Sequence, residues 1–265
     1  MKIKILSLLL VGLSLSSCSI KTEGGSIFNL IPKEGKGPIT EKSSTAEFDE
    51  IKVAQGISAE IIKADTEKVV IYAPSDIIDD ILIENVGKQL YLHFKPGINL
   101  NTSRIKAKIY ARDFSRIEAS SSADILVKDK FTQEKTNIKV SSSGSLSGNL
   151  EANDMGIDVS SSGSTDVRIW AVNLNVEASS SASINLKGKA KTAIVDVSSS
   201  AGVYADQLQV EYANLKASSS GGIDIGVSTE LKAVASSSGS INVKKYGNVN
   251  VVEQKESSSG SINVK

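Results

Sequence analysis

The stretch Ile138-Lys139-Val140-Ser141-Ser142-Ser143-Gly144-Ser145-Leu146 decides the fold, because variants of it recur eight times along the chain. Most copies have two apolar residues in alternation, three serines, a glycine or alanine, and a second apolar alternation. Self-similarity at a spacing of 18 to 21 residues is typical of architectures that stack one unit on the next. The triplets begin at Ser120, Ser141, Ser160, Ser179, Ser198, Ser218, Ser236 and Ser257.

The alternation inside each copy identifies the stacked unit as a β-strand. In the second copy Ile138, Val140, Gly144 and Leu146 are apolar or small, whereas the residues between them are polar. A period of two is that of a strand with one buried face. The sequence therefore predicts an all-β fold, a single-stranded β-helix or β-solenoid with coils of about 19–20 residues. We expect right-handed winding, because connections between parallel strands are overwhelmingly right-handed.

Two positions of the repeated phrase carry structural expectations. Continuing the alternation through the triplet points the middle serine inward, and an unpaired buried hydroxyl costs about 1–3 kcal/mol. We therefore expect these hydroxyls to be hydrogen-bonded to backbone groups at a corner of the coil. The next inward position is always glycine or alanine, which suits a tight bend. The inward serines are Ser121, Ser142, Ser161, Ser180, Ser199, Ser219, Ser237 and Ser258.

The outward serines are predicted to form a regular surface array. Their hydroxyls would lie about 4.7 Å apart up the stack and about 6.8 Å apart along each strand. Such an array would suit the hydroxyls of a glycan or ordered water, including ice, whereas a solvated corner without a ligand is the simplest interpretation. Its members in three copies are Ser141, Ser143, Ser145, Ser160, Ser162, Ser164, Ser179, Ser181 and Ser183.

The first residues have the pattern of a bacterial lipoprotein signal. Residues 1–4 contain two lysines, residues 5–13 are mostly apolar, and Leu15-Ser16-Ser17-Cys18 has the form of a processing site. We expect residues 1–17 to be removed and Cys18 to be lipidated, which would anchor the protein to a membrane of the cell envelope. The outer membrane is favoured, with the periplasmic and exterior faces both open. Residues 18–45 are predicted to be a flexible tether.

The folded domain is expected over residues 46–265, with an irregular β-rich cap at 46–116 and the serine repeats at 117–265. The cap contains a degenerate first copy of the phrase, with Ala54-Gln55-Gly56 in place of the serines. Such a cap would close the N-terminal end of the stack. The last copy stops in mid-coil at Lys265, so we expect an open edge there that would allow homo-oligomers to form.

Composition argues against nucleic-acid binding and against catalysis. The chain has 30 basic and 30 acidic residues, so no excess of positive charge favours nucleic acid. The single histidine, His93, is predicted to be solvated on a strand. A zinc site would need a cluster of His or Cys, and no metal or cofactor is expected. Asp124, Asp166 and Asp224 follow serine triplets, but the glycine-rich calcium repeat is absent.

Three features together resemble a known family. They are the envelope signal, the Phe-x-x-Ile-x-Val opening at residues 48–53 and the recurring Val-x-Ser-Ser-Ser-Gly-Ser. They are similar to the GIN domain, described as the head domain of auto-transporter adhesins, over about residues 46–265. The resemblance implies a β-helical domain in the cell envelope. It implies no biochemical activity and supplies no functional residue.

Two classes of function follow. The favoured one is a non-catalytic envelope lipoprotein with an adhesin-like or structural role, whose polar solenoid surface binds a glycan or another envelope or matrix component. The alternative is an enzyme, because β-helices also support polysaccharide lyases and hydrolases. The repeats supply few aromatic residues for a sugar-binding cleft, and the main ones are Trp170, Tyr204, Tyr212 and Tyr246.

Overall fold

The computed structural model describes residues 31–265, so the expected signal peptide, Cys18 and the first part of the expected tether lie outside it. The described residues form seventeen strands and two 3-10 turns, at Ile78–Asp80 and Thr102–Arg104. The strands are β1 (Ile39–Ser44), β2 (Glu50–Val53), β3 (Ser58–Lys63), β4 (Lys68–Pro74), β5 (Ile81–Val86), β6 (Gln89–Phe94), β7 (Lys106–Ala111), β8 (Arg116–Ala119), β9 (Asp124–Val140), β10 (Ser145–Val159), β11 (Ser164–Ala178), β12 (Ser183–Val197), β13 (Gly202–Ala217), β14 (Gly222–Ala235), β15 (Ser240–Lys245), β16 (Asn250–Glu256) and β17 (Ser261–Val264).

From β9 to β14 each coil is one long strand that pairs in parallel with the strand of the next coil. The register follows the sequence repeat, so that Ser145 lies opposite Ser164, and Ser164 opposite Ser183. The inward residues of all coils form one continuous apolar core. The predicted all-β solenoid is confirmed, with about eight turns. Its right-handed winding stays a prediction.

The serine triplets are turns between strands. Ser142 and Ser143 have φ angles of 51° and 61°, in the left-handed region. The N–H of Gly144 donates to the carbonyl oxygen of Ser141 at 2.9 Å, which closes a four-residue turn. Two left-handed central residues are the pattern of a type I′ turn. All eight triplets repeat these features.

The turns of neighbouring coils are hydrogen-bonded to one another. The N–H of Ser143 donates to the carbonyl oxygen of Ser161 in the next coil at 3.1 Å. The N–H of Ser145 donates to the carbonyl oxygen of Ala123 in the preceding coil at 2.8 Å. A left-handed residue other than glycine costs about 1–3 kcal/mol and persists only where its surroundings enforce it. The stacked hydrogen bonds provide that enforcement.

The prediction that the middle serines point inward is wrong. The turn lifts its two left-handed residues away from the core, so the alternation does not run through the triplet. Val140, Gly144 and Leu146 do point inward as predicted. The middle serines are all exposed, and they are Ser121, Ser142, Ser161, Ser180, Ser199, Ser219, Ser237 and Ser258.

The small residue after each triplet lies against the backbone of the preceding coil, as expected. A Cβ atom placed on Gly144 would lie 2.8 Å from the carbonyl oxygen of Ala119. One placed on Gly221 would lie 2.7 Å from the carbonyl oxygen of Val197. Real Cβ contacts are longer than this, so the corners at Gly144 and Gly221 have no room for a methyl group, whereas three other corners accommodate Ala123, Ala182 and Ala201.

The N-terminal half is the expected cap, but its coils are not stacked in chain order. Strand β2 pairs in parallel with β6 and β8, and β3 pairs in parallel with β7 and β9. The β2–β3 coil therefore lies between the β6–β7 coil and the β8–β9 coil. Its corner has Gln55 and Gly56 at φ angles of 59° and 71°, and the N–H of Gly56 donates to the carbonyl oxygen of Ser121 at 2.9 Å. The degenerate first copy is confirmed.

Antiparallel strands close the N-terminal end of the stack. Strand β4 pairs antiparallel with β7, β1 with β4, and β5 with β6. The prediction of a tether reaching residue 45 is therefore wrong in its last part, because residues 39–44 form β1. Asp76 holds the preceding segment by accepting the N–H groups of Lys36 at 3.0 Å and Gly37 at 2.9 Å. These two hydrogen bonds lower the pKa of Asp76.

The C-terminal end has no such cover among residues 31–265. Strand β16 pairs with β14, and β17 pairs with β15. Val251 and Val252 are exposed on β16. Self-association through this edge stays a prediction.

We expect Gly221→Ala to lower the free energy of unfolding by about 1–3 kcal/mol, because the added methyl forces the backbone of two coils apart. The neighbouring glycine supplies a matched control. A Cβ on Gly222 would have its nearest contact at 3.6 Å, with the hydroxyl of Ser240. Gly222→Ala should change stability by less than about 1 kcal/mol. Urea denaturation measures both, and equal effects would contradict the crowded corner.

We expect Thr165→Val to raise the free energy of unfolding by about 1–2 kcal/mol, because it removes a buried hydroxyl without a partner. Thr165 is 1% exposed, and its hydroxyl has no hydrogen-bond partner among the described residues. Thr136 is the control, since it is 0% exposed and accepts a hydrogen bond from Gln133 at 2.7 Å. Thr136→Val should destabilise the fold by about 1 kcal/mol. Thermal unfolding would refute the interpretation if both changes shifted stability in the same direction.

Candidate functional site

The predicted serine array forms a ridge along the turns. In one copy Ser141 begins the turn, Ser143 is one of its left-handed residues and Ser145 follows it, so these array serines do not form the flat lattice expected along a strand. Columns up the stack are present, and binding by this ridge stays a prediction. Ser141, Ser145, Ser160, Ser179 and Ser183 are half-buried, and Ser143, Ser162, Ser164 and Ser181 are exposed.

A different outward face carries larger and chemically more varied side chains. It consists of two adjacent columns that cross four coils on strands β10 to β13. We call this surface the Trp170 face. One column is Asn149, Arg168, Lys187 and Gln207, and the other is Glu151, Trp170, Lys189 and Gln209.

The parallel register fixes the geometry of the Trp170 face. Neighbours in one column are about 4.8 Å apart, and residues two apart on one strand are about 6.6 Å apart. Trp170 therefore lies beside Lys189 of the next coil and on the same strand as Arg168. The indole is 47% exposed. A groove of about 510 Å³ runs along the face, and Trp170 also lines two adjoining depressions.

Two of the charged side chains on this face are neutralised by partners. The Lys130 ammonium lies 3.1 Å from the Glu151 carboxylate, and the Thr132 hydroxyl donates to it at 3.0 Å. The hydrogen bond from Lys130, followed by that from Thr132, lowers the pKa of Glu151. Lys187 lies 3.6 Å from Asp166.

Arg168 and Lys189 are the two other cationic side chains of the Trp170 face. Neither has a carboxylate within 4.0 Å among residues 31–265. The Trp170 face is therefore locally positive, although the chain as a whole has no net charge.

Tyr246 closes one end of the groove. Its hydroxyl donates to the carbonyl oxygen of Asp206 at 3.1 Å. The ring lies against Gly226, which continues the Trp170 column after Gln209 without a side chain of its own. The Lys244 ammonium lies 5.0 Å from the centre of the Tyr246 ring. The groove thus has one aromatic residue near each end.

A polar ladder borders the face a few residues further along the strands. The Asn153 amide donates to Glu134 at 2.7 Å, and the Asn173 amide donates to Asp154 at 2.7 Å. The Thr192 hydroxyl donates to Asn173 at 3.0 Å. These hydrogen bonds join each coil to the next along this border.

His93 is half-buried rather than solvated, so the prediction of a solvated side chain is wrong. Its Nδ1 lies 2.8 Å from the carbonyl oxygen of Phe94, and its Nε2 lies 3.1 Å from the Glu84 carboxylate. The ring stacks on Tyr91 with centroids 4.1 Å apart. These contacts hold the imidazole within the cap, away from the Trp170 face.

The three aspartates weighed as calcium ligands do not share a column. Asp124 lies opposite Ser145, whereas Asp166 lies opposite Ser147. Within residues 31–265 no group of three His, Cys, Asp or Glu side chains is placed to hold a metal ion. The same residues contain no helix with the length and apolar character needed to cross a membrane.

The sequence contained Trp170 as one of few aromatic residues but did not indicate its neighbours. Arg168 lies two residues away on the same strand, but Lys189 and the amides come from three further coils that are distant in sequence. Writing the copies beneath one another would have aligned them, because the register follows the repeat. The repeated serine triplet indicated the corner of the coil and not this face.

The fold defines the class as a parallel β-solenoid with an antiparallel cap and columns of outward side chains. The family model described as "Putative auto-transporter adhesin, head GIN domain" matches residues 47–168 and 147–248. The chain belongs to this family, as the sequence resemblance implied. No curated protein matches the chain.

Several solved structures of bacterial proteins share the fold. A putative adhesin from Parabacteroides distasonis has 23% sequence identity and a TM-score of 0.80, and the match covers 88% of this chain and 99% of the adhesin chain. A putative adhesin from Parabacteroides merdae has 20% sequence identity and a TM-score of 0.79, and the match covers 88% of this chain and 98% of the adhesin chain. A putative lipid binding protein from Parabacteroides distasonis has 20% identity and a TM-score of 0.74, covering 89% and 100%.

We expect Trp170→Ala to change the free energy of unfolding by less than about 1 kcal/mol, because the side chain points outward. Its neighbour Ile169 points inward and is 3% exposed. Ile169→Ala should therefore cost about 2–5 kcal/mol. Urea denaturation of both variants tests the alternation on β11. A larger loss for the tryptophan variant would show that the indole supports the core.

Proposed function

We propose that this protein is a non-catalytic, adhesin-like lipoprotein of the cell envelope. Cys18 would carry the lipid, and the solenoid would bind a glycan or another envelope or matrix component through its outward side chains. Membership of the adhesin-head family and the adhesins among the structural neighbours support this role.

The observation that carries the proposal is the Trp170 face. Its aromatic ring, cations and amides project from strands that are hydrogen-bonded on both sides. Side chains on such a scaffold lose little further freedom on binding, so contacts to a ligand cost less entropy. A column of sites spaced by one coil suits a ligand that is itself a repeating polymer.

The chemistry of this face favours binding over hydrolysis. Most glycoside hydrolases use a pair of carboxyl groups on either side of the scissile bond. The two columns of the Trp170 face contain one carboxylate, Glu151, and that group is engaged by Lys130 and Thr132. The flat hydroxyl lattice that motivated ice binding is replaced by a ridge of turns. Binding of a polymer is therefore the function we propose.

The test uses cells that make the full chain or its Cys18→Ser variant. We expect the wild-type chain to fractionate with envelope membranes and to increase retention of cells on at least one surface of a panel coated with glycans and matrix proteins. The Cys18→Ser chain should leave the membrane fraction, and its cells should not be retained. Protease treatment of intact cells would identify the face on which the domain is displayed.

Two results would contradict the proposal. If the wild-type and Cys18→Ser chains fractionated equally, the proposed lipid anchor at Cys18 would be contradicted. Absence of retention on every surface, together with shortening of a polysaccharide by the purified chain, would favour the enzyme.

A further inference from the structure

We propose that the groove of the Trp170 face binds an acidic glycan, a sugar chain whose carboxylate groups are separated by hydroxyl-bearing rings. This inference rests on the adhesin-like function and names its ligand class and its site. The stacking surface, the two cations and the amides of the four coils would each contact a different part of such a ligand.

The stacking surface is the indole of Trp170. An aromatic side chain that is 47% exposed presents a flat apolar surface together with a ring N–H that can donate a hydrogen bond. The apolar face of a sugar ring covers such a surface, and the hydroxyls at its edge stay available to polar neighbours. The groove of about 510 Å³ leaves room beside the indole for such a ring.

The two unpaired cations supply the preference for an acidic ligand. Arg168 and Lys189 are diagonal neighbours across the parallel ladder, about 8 Å apart at the backbone. Trp170 is adjacent to both, so a ring stacked on the indole would bring its carboxylate within reach of either cation. The guanidinium of Arg168 also matches a carboxylate with two parallel hydrogen bonds.

Amide side chains extend the site beyond the charged centre. Asn149 flanks Arg168 on one side, and Gln207 and Gln209 continue the two columns on the other. Each amide presents both donors and acceptors, which suits hydroxyls that also do both. Tyr246 then lies at the end of the groove for a second stacking contact.

The same features disfavour a nucleic acid. A polynucleotide carries one negative charge per residue and relies on many Lys or Arg contacts. The Trp170 face has two unpaired cations and places the Glu151 carboxylate directly beside the indole. A ligand with fewer, more widely spaced charges and many hydroxyls fits this arrangement better.

The test measures binding of tetragalacturonate to the purified full chain in detergent, by titration calorimetry and by fluorescence. Trp170 is the only tryptophan of the chain, so its emission reports on this groove alone. We expect saturable binding that changes Trp170 emission and weakens as salt is raised, because salt screens the exposed cations. Neutral maltotetraose should bind at least about tenfold more weakly.

Variants locate the site. Trp170→Ala, Arg168→Gln and Lys189→Gln should each weaken binding at least about tenfold in calorimetry. Tyr204→Ala and Lys232→Gln are matched controls, since both side chains are exposed and neither lines the groove. These two variants should bind with wild-type affinity.

Each contrary result has a defined meaning. Equal affinity of the three groove variants and the controls would overturn the site. Equal affinity for maltotetraose would overturn the acidic class, and tighter binding of a thymidine tetranucleotide would assign the groove to nucleic acid. Retention of cells on a surface without any binding of tetragalacturonate would reject this ligand and leave the adhesin-like function intact.

Discussion

The structure depends on the backbone hydrogen bonds that pass through the left-handed serine turns. In each coil the turn is closed by its own hydrogen bond, and the third serine donates to the middle serine of the next coil. Left-handed serines are unfavourable one at a time, and a single coil would not hold them. Stacking makes each turn the template for the next, so the corner conformation and the register of the strands stabilise each other.

This constraint places side chains in columns, and the columns produce the candidate site. Because the turns fix where every coil begins, residues at the same distance from successive triplets lie above one another. Arg168 and Trp170 thereby meet Lys187 and Lys189, and the amides of Gln207 and Gln209 extend both columns. A polymer with a repeating unit would therefore contact a surface whose side-chain positions repeat once per coil. The core residues between these columns, such as Ile169, hold the face rigid.

Several parts of the fold could be predicted because they depend on local pattern. The alternation around Val140 and Leu146 identified the buried face, and the period of the triplets identified the stacking. The degenerate corner at Gln55 was recognisable because glycine and a polar residue replaced the serines. The inward middle serine was the error, since alternation describes extended backbone and the triplet is a turn. A run of three serines does not indicate a backbone with positive φ. Glycine and asparagine are the residues that usually indicate one.

The sequence by itself determined the solenoid, its inward apolar and small residues and the irregular N-terminal part, because these follow from the spacing of apolar and small side chains along the chain. Only the tertiary structure decided that the β2–β3 coil lies between two coils that follow it in sequence. It also decided that β1 belongs to the cap and that Trp170 stands between a cation and a paired carboxylate. The physical reason is that strand partners are chosen by backbone hydrogen bonds between distant segments. Every residue type except proline offers the same backbone donor and acceptor, so outside the regular repeats the sequence does not indicate which strands pair.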